Sequence, residues 1–206
     1  MNDGSLSAGL TRAPAPAEVH VMLDLETLGT EPGCAVVAIG AVQFGLSGPG
    51  PIIRSELERR VSIASNARAG LTINGPTLEW WMAQAPEAIA ATFHGERVDV
   101  WSACKDFARW VRGLGTPDAP LRVWAKSPSF DCMVLEAAMR QTGQPAPWGF
   151  RDWRDVRTLE HAAALVGYSL PETPAEVKHS ALADAKAQAY NAAKRLLFLA
   201  SKGPRP

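Results

Sequence analysis

The 206-residue sequence is short of the features that would take it out of the ordinary globular class. Cysteine is scarce: Cys34, Cys104 and Cys132 are odd in number, widely spaced and without a C-x-x-C pair. That excludes a disulfide framework and offers no zinc-site spacing, so buried, reduced thiols are expected. Charge of one sign is not in excess, with 21 basic and 21 acidic side chains. Binding to a polyanion by bulk positive charge alone is therefore excluded, whereas a local basic groove beside an acidic site is not. No run of 18 apolar residues occurs, so no membrane span is expected. The first residues lack a basic stretch followed by an apolar one, so no secretory signal is expected, and the predicted location is the cytoplasm. What is present is an apolar share of 47% and a charged share of 20%, enough for one domain with a real core.

Residues 1–17 (MNDGSLSAGLTRAPAPA) are rich in small residues and proline and are expected as a disordered arm. Residues 201–206 are expected as a flexible tail, leaving one domain over 18–200. Strand signals lie at Val19–Glu26, Ala35–Phe44 and, more weakly, Glu58–Ala64. The period then changes to helical over Pro76–Gln84, Pro86–Phe93 and Arg97–Leu114, where Val100, Cys104, Phe107 and Val111 mark one face. Leu121–Ala125 reads as a strand. A helix follows from Ser127-Pro128 to about Gln141, with serine as its cap and proline in its first turn. Asp155–Val166 and Ala181–Ala200 complete the helices, the last burying Leu182, Ala185, Ala189, Leu196 and Leu197. The class predicted is α/β: a mixed sheet, three antiparallel strands then parallel ones, flanked by helices.

Within this frame four acids and a histidine stand out. Asp24 and Glu26 are two apart on the first strand, so both side chains share one face while Val21, Leu23 and Leu25 take the other. Two acids close together in a mostly buried strand repel each other and lose hydration, a conflict that a divalent cation removes. Asp131 falls in the first turn of a helix that follows a strand, at the sheet edge where α/β sites form. His179 and Asp184 bracket the start of the last helix. With Ser180 as its cap they are spatial neighbours. Imidazole there is able to take a proton from water near neutrality.

The order of these residues, D-x-E-T on a first strand, an aspartate opening a middle helix and H-x-x-x-x-D at a late one, resembles the DEDD 3′–5′ exonucleases of ribonuclease H-like fold. The five-residue step from His179 to Asp184 favours the histidine branch, DEDDh, over the tyrosine branch. MLDLETLGTEPGCAVVAIGAVQF, TLEWWMAQ, VWAKSPSFDCMVLEAA, PWGFRDWRDVRTL and HSALADAKAQA are similar to a subgroup containing phage exonuclease A and a mycobacterial exoribonuclease. The likeness spans roughly residues 20–195. A departure is Lys126-Ser127-Pro128, where many relatives have a Gly- or Asn-rich approach to the aspartate.

The resemblance implies a metal-dependent 3′–5′ exonuclease of bacterial or phage-encoded type. It would act on single-stranded RNA or DNA, or on 3′ overhangs, releasing 5′-mononucleotides. It implies two divalent cations, Mg²⁺ or Mn²⁺, held by Asp24, Glu26, Asp131 and Asp184, with Asp24 shared and His179 as general base. The partner is nucleic acid with a free 3′ end; a homodimer is a further expectation. Thr27, Leu28 and Gly29 are placed to touch the terminal 3′-OH by backbone groups. Trp80 and Trp81 cannot face the same way on a helix, so one is expected in the core; Trp81 is a candidate for stacking on a base, with aromatic core packing as the alternative, and Phe130, next to Asp131, is a similar candidate. Lys126, Arg151, Arg154 and Arg157 are candidates for a phosphate-binding edge. The alternatives are a small-oligonucleotide hydrolase, a polymerase-associated proofreading subunit, and a non-catalytic nucleic-acid-binding module.

Overall fold

A computed structural model describes residues 18–46, 52–116 and 118–202. The arm expected over 1–17 lies outside the described residues, as do 203–206 of the expected tail. Strands β1 (Val19–Thr27), β2 (Val36–Gly45), β3 (Ile52–Arg60), β4 (Leu121–Ala125) and β5 (Trp153–Asp155) form one sheet in the order β3-β2-β1-β4-β5. The first three pair antiparallel; β4 lies parallel to β1, and β5 parallel to β4. The helices are α1 (Ile63–Arg68), α2 (Gly75–Met82), α3 (Pro86–Phe93), α4 (Val100–Arg112), α5 (Pro128–Gln141), α6 (Val156–Leu165) and α7 (Ala181–Lys202). This is the mixed, helix-flanked sheet expected. None of the described helices is long and apolar enough to cross a membrane.

The alternation of β1 divides the core. Val21, Leu23 and Leu25 face a large cluster with Val100, Cys104 and Phe107 of α4 and Leu135 of α5. Met22 faces the opposite layer, with Val42, Phe44 and the alanines Ala185, Ala189, Ala192 and Ala193 of α7. Small side chains let α7 lie close to the sheet, and Gly40 of β2 takes this to its limit. A Cβ built on Gly40 would lie 2.1 Å from the carbonyl carbon of Ala181. Gly40 pairs with Asp24 across the β1–β2 ladder, so the first turn of α7 is pressed against the sheet beside that acid. A glycine inside a strand often marks such a close backbone approach.

Besides α1, which was not read, and α4, which runs Val100–Arg112 rather than Arg97–Leu114, the sequence reading differs at two strands and the last helix. The third strand runs Ile52–Arg60 rather than Glu58–Ala64, because Ser62 ends the extended run by capping α1, its side chain accepting from the Ser65 amide. As an edge strand β3 carries few buried side chains, so its alternation is weak in the sequence. β5, read as loop and helix start, is a three-residue strand held on β4, too short to leave a periodic signal. The final helix takes in Ser201 and Lys202, which were assigned to the tail. All three cysteines are free and buried.

Candidate metal-binding active site

Three elements bring the acids together. Asp24 and Glu26 project from the α7 side of β1, and Asp184 reaches them from the first turn of α7. Carboxylate oxygens of these three lie within 4.8 Å of one another. Asp131, in the first turn of α5, is fixed by the β1 backbone: its Oδ1 accepts the Leu25 amide at 3.2 Å. Gln188, one helical turn beyond Asp184, donates Nε2 to Asp24 Oδ1 at 2.7 Å. Its Oε1 is buried without a partner among the described residues.

Electrostatics make this cluster expensive when empty. Burial, then the charges of Asp131, Glu26 and Asp184, push Asp24 well above the ordinary carboxylate range, with the Gln188 bond opposing. Burial, with Asp184 and Asp131 adding, raises Glu26 from 4.5 to about 8. Burial raises Asp131 from 3.8 to about 7, against the Leu25 amide and the charge of Arg157. Asp184 is also raised by burial, opposed by the backbone amides and charge of His179 and the amide of Ser180. Four neighbouring carboxylates with so few cations among them are an all-oxygen donor set, the preference of hard divalent ions. The residues therefore fit Mg²⁺ or Mn²⁺.

His179 precedes the α7 cap and has φ 61°, the one non-glycine positive φ among the described residues. Histidine is among the residues enriched in that region. Its carbonyl accepts the Thr92 hydroxyl at 2.7 Å. Its ring centroid lies 5.0 Å from that of Trp80 and 6.1 Å from that of Trp81, both edge-on. The segment leading to it is clasped to α7, since Asn191 accepts the Thr173 amide at 2.8 Å and donates to its carbonyl at 2.9 Å.

A cleft of about 460 Å³ opens beside Glu26, lined among others by Thr27, Gly29, Trp80, Trp81 and Phe130. Trp81 is 3% exposed, with Nε1 donating to the Thr27 carbonyl at 2.9 Å and its ring packed edge-on to Phe93. Trp80 is 45% exposed, so of the pair Trp81 is the core side chain, the alternative kept open for it, and Trp80 carries the accessible ring. Leu28 is a core side chain. Its amide donates to Ala35 O and its carbonyl accepts the Asn74 amide. Thr27 is buried, its hydroxyl donating to Gly29 O at 2.6 Å. A Cβ on Gly29 would meet Cys34 Cβ at 2.6 Å, which explains the glycine without a ligand.

The basic edge is only partly assembled. Lys126 is paired with Glu160 at 2.7 Å. Arg154 donates to the Arg151 and Trp153 carbonyls. Arg151 lies over the Phe150 ring before β5 begins, at the end of that strand remote from the acids. Arg157, just past the other end, is near enough to lower Asp131. Gln188, Thr92 and Gly40 were not read from the sequence, and Trp80 was read only as the neighbour of Trp81. The i+4 spacing from Asp184 to Gln188 and the glycine within β2 were available signals; nothing local marks Thr92.

The family model for the 3′–5′ exoribonuclease Rv2179c-like domain matches residues 19–196. No curated protein sequence matches the chain. Among solved structures it is similar to that of cell-death related nuclease 4 (CRN-4), with a TM-score of 0.59 and 15% identity, covering 91% of this chain. The match spans 65% of CRN-4, just under two thirds of its length. It is also similar to the nuclease domain of 3′hExo, a DEDDh family member solved with rAMP, with a TM-score of 0.57 and 14% identity, covering 89% of this chain and 94% of that one. At these identities the structural likeness is one of fold.

Proposed function

Because the chain belongs to the Rv2179c-like 3′–5′ exoribonuclease domain family, we propose that it is a 3′–5′ exonuclease, removing nucleotides from a free 3′ end of single-stranded nucleic acid or of a 3′ overhang and releasing 5′-mononucleotides. The observation that carries this reading is the gathering of Asp24, Glu26 and Asp184 from two distant segments within 4.8 Å, with Asp131 bonded alongside. Asp24, Glu26, Asp131 and Asp184 would hold two divalent cations, Mg²⁺ or Mn²⁺. Bound there, such ions would neutralise the phosphate and make water a better nucleophile.

The remaining work falls to the chain's own groups. The His179 imidazole takes the proton of the attacking water as the new P–O bond forms. The bond to the 3′ oxygen of the preceding nucleotide breaks, and that oxygen leaves with the shortened strand. Gln188 keeps one oxygen of Asp24 engaged and so fixes the direction of the other. The cleft beside Glu26 receives the terminal nucleotide, with Trp80 offering an exposed face to its base. Arg157 is the cation of the predicted phosphate edge best placed to meet the backbone.

The test uses matched RNA and DNA oligonucleotides of graded length, labelled at the 5′ end, with Mg²⁺, with Mn²⁺ and with chelator. Stepwise shortening from the 3′ end, dependent on the metal and stopped by a 3′-phosphate, is the expected result. Internal cleavage, or binding without cleavage in either metal, overturns the reading. Activity confined to the shortest oligonucleotides assigns a small-oligonucleotide hydrolase instead.

A further inference from the structure

We propose that Thr92, on a helix with no other part in the chemistry, is a positioning residue that locks the backbone of His179 so that its imidazole faces the carboxylates. The proposal rests on reading His179 as the proton acceptor.

Thr92 lies in the last turn of α3 and is 1% exposed. Its hydroxyl reaches across 87 residues of sequence to the His179 carbonyl at 2.7 Å. That carbonyl belongs to the only non-glycine residue of positive φ among those described. A non-glycine residue persists in this region only where its surroundings over-determine it. Here the peptide plane after His179 is held by the bond from Thr92 to its carbonyl, and Ser180, at the other end of that plane, is anchored to α7 by accepting the Asp184 amide at 2.8 Å. Holding that plane against the start of α7 limits the turn of the His179 backbone, and with it the direction of its Cα–Cβ bond.

The support behind Thr92 is itself anchored. Arg60 of β3 donates Nε to the Ala91 carbonyl at 2.7 Å, fixing the end of α3. The next residue, Phe93, packs edge-on to Trp81 at 4.9 Å, and Trp81 in turn lies 6.1 Å from the His179 ring. Consecutive residues of one helix thus hold the histidine's backbone and back one wall of its ring. A part-buried carbonyl loses a favourable bond when its donor is removed, so without the hydroxyl the left-handed turn is free to relax and carry the imidazole away.

The experiment uses the full chain with Mg²⁺ and a 5′-labelled oligonucleotide in single-turnover mode. Thr92→Val keeps the side-chain shape and removes the donor; Thr92→Ser keeps the donor. We expect Thr92→Val to slow the chemical step by about 10- to 100-fold, because sub-ångström misplacement is costly to proton transfer. The half-saturating substrate concentration should stay within about threefold, and Thr92→Ser within about threefold of wild type in rate. In a His179→Ala background Thr92→Val should cost less than about twofold more, since no imidazole remains to place. A wild-type rate for Thr92→Val, or the same loss in both backgrounds, overturns the proposal. A wild-type rate for His179→Ala instead removes the proton-acceptor assignment, so the two failures are told apart. Melting curves accompany every variant, and Thr92→Ala replaces the valine variant if that one does not unfold cooperatively. As a second readout, the His179 Cε1–H resonance of the chelated protein should be single in wild type and Thr92→Ser and broadened or split in Thr92→Val.

Discussion

Removing divalent metal should make this protein less stable as pH rises through neutrality, and Glu26 allows the size to be worked out. Its side chain is in a residue only 7% exposed, and its pKa is raised from 4.5 to about 8 by burial and by Asp184 and Asp131. The unfolded chain sheds this proton near 4.5; the folded chain keeps it to about 8. Between those values the native state binds more protons, so stability is highest at the acid side and falls with rising pH at about 1.36 kcal/mol per unit. From pH 6 to pH 8, allowing for the curve flattening at the folded pKa, the loss from this group is about 2 kcal/mol. Asp131, raised to about 7, acts with the same sign, but the carboxylates are coupled and their losses do not simply add. For a chain of 206 residues, about 2 kcal/mol lowers Tm by roughly 4–8 °C. The assay is thermal melting in chelator at both pH values, for wild type and for Glu26→Gln. The quantity read is the difference between their pH slopes, in which titrations elsewhere cancel. Saturating Mg²⁺ or Mn²⁺ should raise the wild-type Tm most at pH 8. Equal pH slopes in the two proteins would refute the reasoning, because the cluster would then carry no burden for a cation to relieve.

The other expectations are narrower. Asp24→Ala should abolish turnover, by at least about 10²–10³-fold in single-turnover rate; a clean preparation with wild-type-like activity overturns the site. Asp24→Asn should be equally inactive yet melt higher than wild type in chelator at pH 8, because it removes one of the mutually repelling charges and keeps an acceptor for Gln188. Trp80→Ala should weaken oligonucleotide binding by about 1–3 kcal/mol, roughly 5- to 150-fold in Kd by fluorescence anisotropy, and leave Tm almost unchanged. Trp81→Ala should instead unfold the chain several kcal/mol more easily, in keeping with its buried indole and its bond to Thr27 O. Gly40→Ala should cost about 2–3 kcal/mol or more in chemical denaturation, since the added carbon meets Ala181 backbone at 2.1 Å.

Legibility in the sequence tracked the strength of local signals. Val19–Thr27 and Pro128–Gln141 were readable because an uninterrupted apolar run and a Ser-Pro start leave little local choice. The weak edge strand β3 and the three-residue β5 were not, because their pairing is supplied by neighbours far along the chain. Local pattern also cannot rank two adjacent tryptophans. Both Trp80 and Trp81 are apolar and helical; which one is buried depends on where Phe93 and the Thr27 carbonyl come to lie. Lys126 and Arg151 looked like phosphate contacts as charges on a line of text, and their partners, Glu160 and the Phe150 ring, were matters of packing and of loop geometry.

The sequence by itself determined which groups are available: four acids and a histidine in a set order, on elements whose periodicity assigns Asp24 and Glu26 to one face of a strand. Tertiary structure decided how near they stand, because distances between segments more than a hundred residues apart are set by how closely backbones can pack. Gly40 admitting Ala181, and Thr92 gripping His179, are contacts of that kind, and no local propensity encodes them.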